Sequence, residues 1–361
     1  MVTTMKQLMH SEWKRVLKSF GMASLAAIVI AFASFGIMKL LSDVYISTQI
    51  ETIEKAVYTC EDELFDLRQA EMLTEYDQKQ MDFLNEYMAD LRYLKMLYSD
   101  PARNASEIAT QRYALNQTMI GKAKEEEAIN PKLFMAPVET LQKENNEYDA
   151  YWAKGITPPV NPVEPNIVYA LATNLDGYTP FMIALLLVLA LFLNNTWSED
   201  WEYRTRTLYM ALPYSKLVLF ASRFLTNLLA SFGIMVIALV ALSGICGICF
   251  GTGSELIVEV GSQYVDLAKI AVGLVLSGLE WMLVYSAGLQ LLSIFIRNTI
   301  DFKIWASSFL IVDFFVLQSK STFHLGIENI WSPHGIVVSV LLFLFVIVLG
   351  LVSERCFVRQ R

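Results

Sequence analysis

Six long apolar runs, at roughly 22–41, 178–195, 224–250, 268–296, 302–319 and 334–353, alternate with polar segments along the chain. Each is long enough to cross a hydrocarbon layer of about 30 Å as a helix, so the pattern predicts six membrane spans. The run at 178–195 is the shortest: Asp176 and Pro180 crowd its start, while the block FMIALLLVLALFL argues for crossing. The opening MKQLMHSEWKRVLKS is polar and amphipathic. The apolar run after it is too long for a signal peptide and has no Ala-x-Ala-like cleavage site, which predicts an amphipathic helix over 1–20 leading into an uncleaved first span at 21–41.

The polar segment 42–177 is too long for a loop and too regular for disorder. From Thr48 to Ser99 it has no Pro and no Gly, and Leu84, Tyr87, Leu91, Leu94 and Tyr98 recur at alternating steps of three and four. That is the spacing of a helix seam. Pro101 ends this helix, a second fits 104–129 up to the charged run KAKEEEA, and Pro131 opens a third that reaches about Trp152. Three antiparallel helices make a small bundle. The stretch TPPVNPVEP that follows, with four prolines, predicts an extended, semi-rigid strut back to the second span. The fold expected is an all-α integral membrane protein, with six transmembrane helices and a helical extracellular domain inserted between helices 1 and 2.

Charge sets the orientation. Lys6, Lys14, Arg15 and Lys18, then Arg204, Arg206, Lys216 and Arg223, then Arg297 and Lys303, then Arg355, Arg359 and Arg361 fall on one side of the six runs. The positive-inside bias makes that side, and both termini, cytoplasmic. The segment 42–178 carries 12 Lys plus Arg against 24 Asp plus Glu, a net −12, compared with −8 for the whole chain. An outer surface of that sign repels acidic polymers and attracts cations, cationic peptides included. A solvated helical face has the same composition, so this count does not separate the two readings.

The chemistry-bearing residues are few. No phosphate loop of the form G-x-x-x-x-G-K-[ST], no H-E-x-x-H and no G-x-S-x-G occurs. The three histidines are His10, His324 and His334, the last two in STFHLGIENIWSPHG, which reads as an interfacial turn. Cys60 and Cys356 stand alone, and Cys246 with Cys249 form a C-x-x-C inside an apolar run, where helix packing explains them better than redox work. No catalysis, resident cofactor or metal is expected in this chain, and no nucleic-acid partner. Glu280 and Asp313 lie deep in apolar runs. A carboxylate there costs at least about 2.5 kcal/mol and marks a translocation path or a packing contact between spans four and five.

Between the second and third runs lies NNTWSEDWEYRTRTLYMALPYSK, Asn194 to Lys216. On a helical wheel Trp197, Trp201, Leu208, Ala211 and Leu212 share one stripe, with Glu199, Glu202 and Arg206 opposite. This predicts an interfacial helix over 197–213, its tryptophans at headgroup depth and Glu202–Arg206 a favourable i, i+4 pair. Pro213 ends it. A rigid charged helix tethered to spans at both ends is a handle by which a soluble partner can move them. A surface helix without a partner has the same pattern.

The string EYRTRTLYMALPYSK resembles the signature of ABC-2 type transporter permeases: an acidic residue before Gly-Thr, a Leu-rich half-helix, then Pro and Ser-Arg or Ser-Lys. Thr205 stands eight residues before Pro213, and Ser215 and Lys216 follow; Arg204 stands where the family usually has Gly. With the six runs and the insertion after the first, the resemblance covers the whole chain. It implies the membrane subunit of a bacterial plasma-membrane exporter, paired with a second permease subunit, as a homodimer or heterodimer, and with separate ABC ATPase subunits that hold ATP and Mg2+. It further implies that Glu199, Glu202 and Arg206, with Trp13 and Arg15 of the N-terminal segment, lie against the ATPase. Trp201, Thr205, Leu208 and Pro213 then form the coupling-helix motif, and Glu280 and Asp313 line the path. The outer bundle suits a peptide antibiotic or lantibiotic as substrate, and cation extrusion is the alternative within the class. A membrane sensor or scaffold with a ligand-binding outer bundle is the alternative from another class. A secondary transporter is disfavoured, since the six runs show no inverted pairing of broken helices.

Overall fold

A computed structural model describes residues 2–69, 74–124, 133–175, 179–203, 215–260, 263–318 and 333–359. The chain divides into two compact units: unit 1 comprises Met1–Ile37, Pro165–Ser254 and Leu267–Arg361, and unit 2 comprises Met38–Glu164 and Glu255–Asp266. Apart from one β-hairpin, the regular elements among the described residues are α-helices.

Residues 2–68 contain no proline, and α1 runs unbroken from Val2 to Arg68. The amphipathic segment expected over 1–20 is therefore continuous with the first span, and α1 contributes to both units.

In unit 2, α1 is followed by α2 (Glu75–Ser99), α3 (Ala105–Lys124) and α4 (Val138–Ala153). The helix expected to run through from Thr48 to Ser99 is instead two, α1 ending at Arg68 and α2 starting afresh at Glu75, where Thr74 forms a capping box with Asp77. The Thr74 hydroxyl accepts from the Asp77 amide at 3.1 Å, and the Asp77 carboxylate accepts from the Thr74 amide at 2.8 Å. A box of this kind satisfies donors that the first helical turn leaves open. The bundle thus has four helices, the first being the C-terminal part of α1, instead of three. Arg92 pairs with Glu61 and Lys95 with Glu54, so α2 runs antiparallel to α1. The seam lies where the spacing places it: Leu84, Tyr87, Leu91, Leu94 and Tyr98 are buried with Ile53, Cys60, Leu115, Met119 and Leu141. The last helix starts at Val138 behind Pro137, not at Pro131. The proline-rich stretch is irregular, with a turn at 161–164 where the Asn161 side chain donates to the Ser42 hydroxyl at 2.7 Å.

Unit 2 is completed from a distant part of the chain. Strands β1 (Ile257–Val260) and β2 (Gln263–Asp266) pair antiparallel, with Ile257 opposite Asp266 and Val260 opposite Gln263. The buried Tyr151 hydroxyl accepts from the Ile257 amide at 3.1 Å, while Lys143 pairs with Glu259 and Lys154 with Asp266.

Unit 1 contains α5 (Ile167–Leu175), α6 (Pro180–Phe192), α7 (Thr196–Glu202), α8 (Lys216–Phe250), α9 (Leu267–Phe295), α10 (Thr299–Gln318) and α11 (Pro333–Arg359). Helix α9 is central, packing against α5, α6, α7, α8, α10 and α11. Among the described residues four helical stretches are long and apolar enough to cross a membrane: Lys6–Arg68, Pro180–Glu202, Lys216–Phe250 and Leu267–Phe295. The two remaining apolar runs also fold as helices, α10 and α11, but they are not among those four. At the end of α8, Gly251 adopts φ 77°, a left-handed conformation that closes the helix, and the carbonyl of Gly251 accepts from the Ile167 amide of α5.

Candidate functional site

Helix α7 has seven residues, too few to be stable by itself. Tertiary contacts hold it. Trp197, 3% exposed, stacks on Phe220 of α8 with ring centroids 5.5 Å apart, and Phe220 stacks on Phe224. This corrects the expectation of an interfacial tryptophan: the Trp197 ring is core, not headgroup-facing. The Arg223 guanidinium lies over the same ring, 5.0 Å from its centroid, in a cation–π arrangement.

Arg223 is the centre of the site. It is 1% exposed, yet its Nε donates to Glu12 of α1 at 2.9 Å, its Nη2 donates to Asp200 of α7 at 3.3 Å, and its Nη1 also pairs with Asp200. Glu12, 4% exposed, accepts a further bond from Arg15 at 2.8 Å, and Asp200 is 6% exposed. Two carboxylates thus face two guanidinium groups. Charges this deep are tolerable only because each is paired and hydrogen-bonded.

The rest of α7 is fastened to two more helices. Ser198 donates to the Ser293 carbonyl of α9 at 3.1 Å. Glu202 accepts from the Thr299 amide at 3.2 Å, which places a carboxylate at the N-terminus of α10, where the helix dipole favours it. Trp201 lies beneath Arg297, 5.0 Å from the guanidinium carbon. Glu199 accepts from Asn195 at 2.9 Å, and Tyr203, 72% exposed, is the outward end of the helix.

From Arg223 a polar seam continues inward between α8 and α9. Asn227 donates to Gln290 at 3.4 Å, the Ser231 and Ser286 hydroxyls are 2.9 Å apart, and Ser286 donates to Asn194 at 3.1 Å. All five are buried. Ser222, Thr226 and Ser231 also donate back to carbonyls of their own helix, the usual way a hydroxyl is satisfied away from water.

The sequence-predicted residues divide. Glu199, Trp201 and Glu202 are on α7 as expected. Trp13 is part-exposed against Phe20, and Arg15 turns inward to Glu12. Arg206, Thr205, Leu208 and Pro213 lie outside the described residues, as does the side chain of Asp313; the backbone of Asp313 is on α10. Glu280 is half-buried on α9 and takes no part in the seam. Glu12, Asp200 and the central role of Arg223 were missed. The charge pattern puts Arg223 in the cytoplasmic flank of a span starting at 224, whereas α8 starts at Lys216 and carries Arg223 two turns inside. The available signal was an arginine in LVLFASRFLTNLLASF: a charge within an apolar helix implies a buried partner.

Unit 2 has a polar layer of its own. Arg112 of α3 pairs with Glu144 of α4 at 2.7 Å and donates to Gln49 at 2.5 Å, while Asn116 and Tyr148 donate to the same carboxylate. Burial lowers the Arg112 pKa, but Glu144 and the surrounding phenols outweigh it and keep the guanidinium protonated. Burial pushes Tyr148 well above the usual phenol range. Glu147 is raised by desolvation, then by Glu144. Among the described residues there is no group of three or more His, Cys, Asp or Glu side chains able to hold a metal.

No family model, curated protein or solved structure matches the chain.

Proposed function

We propose that the chain is the membrane subunit of an ATP-driven exporter, crossing a bacterial plasma membrane six times with both termini inside, and that α7 is the element through which separate ATPase subunits act on it. The observation that carries this reading is the seating of α7. A seven-residue helix after the second apolar run is bonded through Asp200 to Arg223 of α8, through Ser198 to α9 and through Glu202 to α10. Arg223 passes the connection on to Glu12 of α1. A force on α7 therefore reaches four long helices at once, as a coupling element requires. The outward contacts are assigned to Tyr203, Glu202 and Arg206, together with Trp13, and the substrate path to the seam from Asn227 to Asn194, with Glu280 and Asp313. The substrate class is a peptide antibiotic or other amphipathic compound, with cation extrusion the alternative.

The test is gentle purification of the tagged full chain from its native membrane, with mass spectrometry of what accompanies it. A stoichiometric ATPase, lost on Tyr203→Ala/Arg206→Glu without loss of the permease, is the expected outcome. The sensor or scaffold reading is favoured by one observation, that α1 is shared by both units without a break. A preparation with an intact permease and no ATPase would favour it over transport.

A further inference from the structure

Helix α1 carries two faces along its first nine turns. Leu8, Glu12, Val16, Ala23, Ala27 and Ala31 are buried and share one stripe. On the opposite side Gln7, Ser11, Lys14, Lys18, Met22, Leu25, Val29 and Phe32 follow one another at steps of three and four, and all are exposed. From Met22 to Phe32 that stripe is wholly apolar, with exposures of 54% for Met22, 58% for Leu25, 59% for Val29 and 54% for Phe32. On a helix that crosses a membrane, such a face meets hydrocarbon. Lys14 and Lys18 continue the same stripe without a change of side, so the medium bathing Leu25 must also be what lies along Lys14, one layer further out. Lys14 precedes Met22 by eight residues, about 12 Å of helix, and a lysine stem reaches several ångströms beyond its backbone position.

The charge on this end is one-sided. Glu12 is the only acidic residue before Asp43, and it is turned inward and neutralised by Arg223 and Arg15. What faces outward is Lys6, His10, Lys14 and Lys18, with the part-exposed Trp13 and the exposed Leu17 on the flank of the stripe. Outward from Met22 the chain meets Lys18, Lys14 and then Trp13, residue types that sit at headgroup depth.

We propose that the Lys14–Lys18 end of this stripe, flanked by Lys6, is a docking surface for anionic phospholipid headgroups. It needs only that α1 spans the membrane, and goes beyond the exporter reading. The surface is opposite Glu12 on the same turns of helix, so a headgroup held there fixes the turn that carries one arm of the Arg223 cluster. Each lysine near an anionic surface strengthens association by roughly five-fold, so the pair is worth more than ten-fold.

The experiment uses the full chain, delipidated in detergent and titrated with phosphatidylglycerol or phosphatidylcholine, with retained lipid counted by native mass spectrometry. More than ten-fold preference for phosphatidylglycerol is expected, lost in Lys14→Gln/Lys18→Gln and unchanged in Lys79→Gln/Lys124→Gln of unit 2. Both pairs are exposed, and thermal unfolding checks that the variants fold. Equal retention of the two lipids by the native chain, or undiminished phosphatidylglycerol in the Lys14/Lys18 variant, overturns the proposal. A photoreactive side chain at Ser11, irradiated in native membranes, should add the mass of a lipid; a discrete protein adduct would hand the surface to a protein partner instead. Release of the chain by alkaline carbonate would remove the membrane reading itself, an outcome distinct from loss of lipid preference.

Discussion

Arg223 stays charged with almost none of its surface in contact with water because every direction it presents is answered: Glu12 on one edge, Asp200 on the other, and the Trp197 ring against its face. Removing it takes from the buried Glu12 and Asp200 the guanidinium they share and leaves Glu12 with Arg15 alone, which costs about 3–5 kcal/mol. Arg223→Met is therefore expected to reduce the unfolding temperature and the yield of the full chain sharply, and Glu12→Gln with Asp200→Asn to recover most of the loss, since the three neutral side chains no longer oppose burial. Thermal unfolding in detergent measures both, and a triple variant no better than the single one would show that geometry rather than charge holds the site. Glu147 behaves in the opposite sense. Desolvation and Glu144 raise its carboxyl above the ordinary 4.5, so the folded chain binds this proton more readily than the unfolded one, and ionisation weakens the fold as pH rises through that window. Glu259 adds to the effect, while Lys143 opposes it. Glu147→Gln should accordingly unfold at a higher temperature than the native chain near neutral pH, with the gap closing as pH falls toward the ordinary carboxyl value. A gap independent of pH would mean that the gain comes from packing.

At the scale of elements, what was legible followed from periodicity and what was missed followed from local chemistry. The seam from Leu84 to Tyr98 was readable because a bundle core imposes spacings of three and four over several turns, and all five residues are buried. The fresh helix start at Glu75 is not marked by Pro or Gly; its signal is Thr74 followed three residues on by Asp77, a capping box that starts a helix without either. The hairpin is likewise marked by IVEV and QYVD, two short runs rich in Val, Ile and Tyr separated in the sequence by Gly261 and Ser262. The site was half legible. The tryptophans and acids of α7 were placed on the right element, but an amphipathic wheel takes the membrane surface as the only apolar partner. Trp197 has Phe220 and Phe224 instead. Single-sequence patterning carries no information on which distant helix answers a buried charge, so Glu12, 211 residues from Arg223, was out of its reach.

For the molecule as a whole, the Lys and Arg residues that flank the apolar runs carry the expected orientation: they are expected on the cytoplasmic side and the segment 42–178 on the outer one. A cysteine in place of the exposed Lys79, in a chain whose exposed Cys249 is replaced by serine, should react with an impermeant maleimide on intact cells. Reaction only after the cells are opened would reverse the orientation. Unit 2 is also not a continuous stretch of chain, and this bears on how it is made. Tyr151 and the Ile257 backbone it binds are 106 residues apart, and α8 is synthesised between them. At about 5–20 residues per second, the ribosome needs on the order of ten seconds to supply the hairpin after α4 has emerged. During that interval the four-helix bundle stands with the Tyr151 hydroxyl and two lysines, Lys143 and Lys154, waiting for strands still to be translated. Unit 2 therefore reaches its finished form only after α8 has been made, which ties its maturation to the long apolar helix that precedes the hairpin.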